Sequence, residues 1–156
     1  MHRKKIKQAA KIVFFCTLSG LFVACSSRSL NTELTRCVYP DSLRSPAPAF
    51  ICDSSLAGYP ITQLRQSPLS DANVDERIRH VYQDQISAWS SEWSKQWYSD
   101  LAVQAEALAW LQKYLAREAR VVRSRVSPNG ELWLLVGVPH PLLDVKNNLE
   151  LDLSLK

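Results

Sequence analysis

The sequence predicts an α+β domain: a small antiparallel sheet in β-α-α-β-β order, packed against one or two helices. Three observations point there. From Val74 to Leu115 apolar residues recur every three or four positions, with no Pro or Gly between them. From Arg120 the period switches to two. Between the two alternating stretches stands Ser127-Pro128-Asn129-Gly130, the strongest turn signal in the chain.

Each element follows in order. Ala57 to Arg65 is a weak strand candidate, since Ile61 and Leu64 fall on opposite faces. Pro68 and Ser70-Asp71 break the chain. Asn73 with Glu76 three residues on resembles a capping box and opens a helix. Val74, Ile78, Tyr82, Ile86, Trp89, Trp93 and Trp97 form its stripe, which Leu101, Ala105, Leu108, Leu111 and Leu115 continue. One helix of that length is unusual in a small domain. Ser99-Asp100 offers a cap, so the stretch divides into helices over about 73–97 and 100–118. Residues 120–126 form a strand, with Val122, Ser124 and Val126 on one face and Val121, Arg123 and Arg125 on the other. Gly130 supplies the positive φ of a short hairpin loop. Residues 131–138 are almost continuously apolar, so both faces of that strand are covered. Pro139 and Pro141 end it. The tail from Leu149 to Leu155 alternates strictly, as an edge strand or as a loose tail that waits for a partner.

The N-terminus carries a different kind of signal. Arg3, Lys4, Lys5, Lys7 and Lys11 precede an apolar run from Ile12 to Val23. That run is too short to cross a hydrocarbon core of about 30 Å as a helix and reads as a secretory signal. Its ending, Leu21-Phe22-Val23-Ala24-Cys25, resembles the lipobox of bacterial lipoproteins. The resemblance implies cleavage before Cys25 and lipidation of its thiol. Ser26 rather than Asp follows, so the retention signal of the inner membrane is missing, which implies transport to the outer membrane. An ordinary cleaved signal or an uncleaved anchor is the plainer alternative. The resulting organisation is a signal peptide over 1–24, a lipidated tether rich in Pro and Ser over 25–49, a periplasmic domain over 50–139 and a tail over 140–156.

This organisation changes the charge reading. The formal net charge is +4, but five of the 19 basic residues and none of the 15 acids lie in residues 1–24. Without them 14 basic residues face 15 acids, a net charge of −1, so the basic balance does not argue for nucleic-acid binding. Export also frames the cysteines. Cys37 and Cys52, 15 positions apart, are most simply a disulfide in an oxidising compartment, with two free thiols as the alternative. Closing that loop contributes roughly 3 kcal/mol in the chain-entropy model.

Further residues carry a family resemblance. Pro48-Ala49-Phe50-Ile51-Cys52-Asp53 is followed by a short strand and helices rich in Gln and Ala. Then come Arg120-Val121-Val122-Arg123-Ser124-Arg125, the Ser-Pro-Asn-Gly turn, and Leu132-Trp133-Leu134-Leu135-Val136-Gly137. This order resembles the LPP-twenty-type outer-membrane lipoproteins of proteobacteria, over roughly residues 46–139. Phe50 stands where that family often has Trp, and Ile61-Thr62-Gln63-Leu64-Arg65 replaces a strand of small residues. The resemblance implies a structural or assembly role in the cell envelope, with flagellum-associated members among the family, and no catalytic residues.

The remaining chemistry is sparse. His80 and His140 lack a partner motif, and no nucleophile elbow or phosphate-binding glycine loop is present. Thiol catalysis would need Cys52 beside one of these histidines. Asp71, Asp75 and Glu76 are expected to complement a helix N-terminus. No metal ligand, cofactor or catalytic residue is assigned, and the chain reads as a non-enzymatic protein. Two surfaces are candidates for a partner, namely another envelope protein or a second copy. The first is Trp89, Trp93 and Trp97, which are core or, where a small sheet leaves an indole uncovered, a contact or sugar-stacking flank. The second is Arg123 and Arg125, with Arg117 and Arg120 nearby: a solvated face, or a contact for an anionic glycan, lipid phosphate or acidic partner. A glycan-binding or synthase-regulating module is the alternative function.

Overall fold

The computed structural model describes residues 37–154. The signal, Cys25 and most of the tether lie outside the described residues. Among the described residues the fold is α+β, with four helices and two small antiparallel sheets. Strands β1 (Val38–Tyr39) and β2 (Ser42–Pro46) form a hairpin, and α1 (Ala49–Cys52) follows. Strand β3 (Ile61–Ser67), helices α2 (Val74–Trp97) and α3 (Leu101–Glu118), and strands β4 (Arg120–Val126) and β5 (Leu132–Val138) come next. Helix α4 (Leu142–Ser154) closes the described chain.

The main sheet has the order β3-β5-β4, with β5 antiparallel to both neighbours. The apolar run from Leu132 to Val138 becomes the central strand because it is buried on both faces. Its even-numbered side chains meet the helices. Leu132 and Leu134 cluster with Val81, while Val136 and Val138 join Ile86, Trp89, Leu111 and Leu115. On the opposite face Trp133 packs against Tyr39 and Ile51, with Leu64 beside them. A Cβ at Gly137 would sit 2.7 Å from the Tyr59 ring, so only glycine allows that ring to lie on the strand.

The helix caps follow the local signals. Asn73 Oδ1 accepts from the Glu76 amide at 2.9 Å, and Asp100 Oδ1 accepts from Ala102 and Val103. Tyr82 adds a tertiary closure, donating its hydroxyl to the Ala119 carbonyl at 3.1 Å, where α3 runs out of partners. Burial pushes the Tyr82 phenol up from its ordinary value. Gly130 takes φ +83° in the hairpin turn.

Four expectations need correction. Residues 37–49, read as tether, fold into the β1–β2 hairpin and the start of α1. Asp41 in that hairpin accepts from Ser127 Oγ and, at 3.3 Å, from Trp133 Nε1. The tail is a helix, not an edge strand: Val145 and Leu149, one turn apart, are fully buried, and Leu153 packs on the same cluster. The helical stripe holds at Ile86, Trp89, Trp93, Leu111 and Leu115 but is rotated over the first turns of α3, where Ala105 is exposed. Leu101 is 79% exposed, whereas Ala107, Leu111, Tyr114 and Leu115 are buried. On β4 the pairing shifts between Val121, opposite Val136, and Arg123, opposite Leu135. The bulge at Val122 turns Val121 to the helix side, away from Arg123 and Arg125.

Candidate functional site

The residues nominated from the sequence fall in three places. Cys37 and Cys52 lie at disulfide-bonding distance, with Sγ atoms 2.18 Å apart and Cα atoms 5.8 Å apart. They join the start of β1 to the end of α1, beside the Tyr39–Ile51–Trp133 cluster. Cys52 is thereby engaged with Cys37 and not with a histidine. His80 is exposed, and His140 Nε2 lies 3.7 Å from Glu118.

Trp89, Trp93 and Trp97 stack down α2 with centroids 5.7 and 5.8 Å apart. Trp89 and Trp93 are each only 5% exposed, so they are core and not a flank open to a partner. Trp97 is half-buried against the same cluster. The core reading therefore holds for Trp89 and Trp93, and Trp97 alone of the three keeps part of its ring exposed. Val145, Leu149 and Leu153 of α4 belong to the same apolar cluster as the indoles.

Arg123 and Arg125 are exposed on one face of the edge strand β4, on the side away from α2 and α3. Charged residues on an edge strand also discourage unwanted strand pairing. Arg77, on α2, behaves differently. Arg77 is buried, and its Nη2 donates to the carbonyls of Ser67, Pro68 and Gly130 at 2.9, 2.8 and 3.0 Å. It thus ties the end of β3 to the β4–β5 turn.

One groove was not nominated from the sequence. A groove of about 670 Å³ is lined by Glu106, Ala109, Trp110, Lys113, Tyr114 and Arg117 of α3, with Asp152 of α4. Trp110 is half-buried and stacks on Tyr114 with centroids 4.8 Å apart and planes 12° apart. Arg117 lies over the Tyr114 ring at 5.7 Å and donates through Nε to Glu118 Oε1 at 2.7 Å. That hydrogen bond holds the Glu118 carboxyl below its ordinary value, with the Arg117 charge and His140 adding to the effect. Burial pushes the Tyr114 phenol up. The signal that would have found this groove is the Glu106-Trp110-Tyr114 spacing of four, flanked by Lys113-Arg117 at the same spacing. It was hidden because the second groove wall comes from α4, read as a tail.

Among the described residues no group of three or more His, Cys, Asp or Glu is placed to hold a metal ion, and no helix is long and apolar enough to cross a membrane. Compared with known proteins, the chain matches no family model, no curated protein and no solved structure.

Proposed function

We propose that the chain is a lipid-anchored envelope protein, a divergent relative of the LPP-twenty-type lipoproteins. It holds its α+β domain in the periplasm at the outer membrane and serves there in structure or assembly, without catalysis. The observation that carries this reading is the cysteine pair. Cys37 and Cys52 sit at bonding distance, which fits an oxidising compartment, and a signal ending in Leu21-Phe22-Val23-Ala24-Cys25 would deliver the chain to one. The groups that might do chemistry have structural duties instead. Cys52 is engaged with Cys37, and Asp75 and Glu76 complement the first turn of α2. Any partner, whether an envelope protein or a second copy, meets a surface other than Trp89 and Trp93.

Cell fractionation tests this directly. Cys25→Ala should move the protein from the membrane to the soluble periplasm, or leave an unprocessed precursor. Unchanged membrane association and processing, with no acyl chain on the protein by mass spectrometry, would refute the anchor.

A further inference from the structure

We propose that the α3–α4 groove is a carbohydrate-binding site whose floor is Trp110. The inference needs only the groove and stands apart from how the chain is anchored. Four observations carry it.

The first is the aromatic floor. Trp110 gives one ring face to Tyr114, one turn later on α3. Trp110 is only half-buried and lines the groove together with Glu106, one turn earlier on α3. The C–H groups on one side of a pyranose ring carry slight positive charge, and they suit the negative face of an indole.

The second is the polar rim. Glu106 supplies a carboxylate, and Lys113 and Arg117 supply donors, beside Trp110, with Asp152 of α4 on the rim. A carboxylate accepts from two neighbouring hydroxyls at once, and ammonium or guanidinium groups donate to ring and hydroxyl oxygens. A purely apolar ligand would desolvate these groups without replacing their hydrogen bonds.

The third is charge balance. Two acids and two cations line the groove, so their formal charges cancel. A site for nucleic acid, phosphate or another polyanion needs a net positive field, and this groove has none.

The fourth is the nature of the walls. Both are helices, whose interior backbone groups are already paired. An extended peptide gains affinity mainly through backbone hydrogen bonds to a strand edge, which helices do not offer. A sugar needs only the side chains present. The volume of about 670 Å³ falls within the range of roughly 300–1,000 Å³ usual for small-ligand sites.

The test uses the full chain in a non-glycosidic detergent, with affinity measured by titration calorimetry for every variant and the Trp110 indole N–H signal followed by NMR wherever Trp110 is present. The probes are a β-1,4-linked N-acetylglucosamine tetramer, maltotetraose and, as a polyanion, heparin. At least one neutral tetramer should shift the Trp110 signal. Trp110→Ala should weaken that binding at least about tenfold, and Glu106→Gln by about fivefold. Glu106 is exposed, so its variant keeps the fold, and unchanged signals from the other four indoles check this. The proposal is overturned if neither neutral tetramer moves Trp110 at about 20 mM, a level that would still reveal weak binding. It is equally overturned if heparin alone binds there, or if both variants bind a neutral tetramer like the wild type.

Discussion

Arg77 gathers three backbone carbonyls that its loss would leave without this donor. Its guanidinium is buried, faces three carbonyls and has no carboxylate beside it in those contacts. Carbonyls can hold a buried cation because each presents the negative end of a dipole, and three together replace part of the lost hydration. The indoles on the same helix do the apolar work. Trp93 stacks on both Trp89 and Trp97 and is almost fully enclosed, so it belongs to the core. Trp93→Ala should cost about 3–5 kcal/mol in urea unfolding, as expected for a large aromatic truncated in a packed interior. A loss below about 1 kcal/mol would instead place the ring at a surface. Ser90 and Ser94 show why α2 tolerates polar residues at its buried face. Their hydroxyls return to the backbone, to Ile86 O at 2.7 Å and Ser91 O at 3.2 Å, so neither hydroxyl is left unmet.

Among the elements, α4 has the largest consequences. Pro141 sits before its first turn, where its carbonyl accepts from Asp144 and Val145. Val145 and Leu149 then reach into the shared core, each burying a side chain worth about 1.5–3 kcal/mol. The same helix supplies Asp152 to the groove, so it builds the core and the candidate site together. Leu149→Ala is expected to lower stability by about 2–5 kcal/mol and to broaden the NMR signals of residues on α3 that face α4. If α4 were a loose tail, the substitution would leave the unfolding midpoint unchanged. Strand β4 shows a smaller device of the same kind. Its bulge at Val122 puts Val121 into the helix-side cluster while Arg123 and Arg125 stay on the other face. An edge strand shaped this way is a poor template for pairing with another chain.

At the scale of the whole domain, the central strand needs two covers. Helices α2 and α3 cover one face, and the β1–β2 hairpin with α1 covers the other. The second cover is small: Tyr39 and Ile51 pack on Trp133 with Ala47 and Phe50 beside them, and Asp41 accepts from Ser127, Asn129 and Trp133. The Cys37–Cys52 bridge closes that cover on itself. Reduction should therefore lower stability by roughly 3 kcal/mol and increase quencher access to Trp133 before the helices melt. Equal urea midpoints for the reduced and oxidised protein would mean that Asp41 and the apolar contacts hold the cover alone.

Local signals determined much of this architecture from sequence alone. Asn73, Asp100 and Gly130 act on groups within a few residues of themselves, so the two long helices and the β4–β5 hairpin were legible. The apolar run of β5 likewise announced a strand with both faces covered. What covers each face was decided only by tertiary contact. Residues 149–155 alternate by two and also repeat by four through Val145, Leu149 and Leu153, and a sequence does not say which period meets a core. Only the position of α4 beside α3 chose the second. That choice put Val145, Leu149 and Leu153 into the same core as Trp89 and Trp93, and placed Asp152 beside the Trp110 groove.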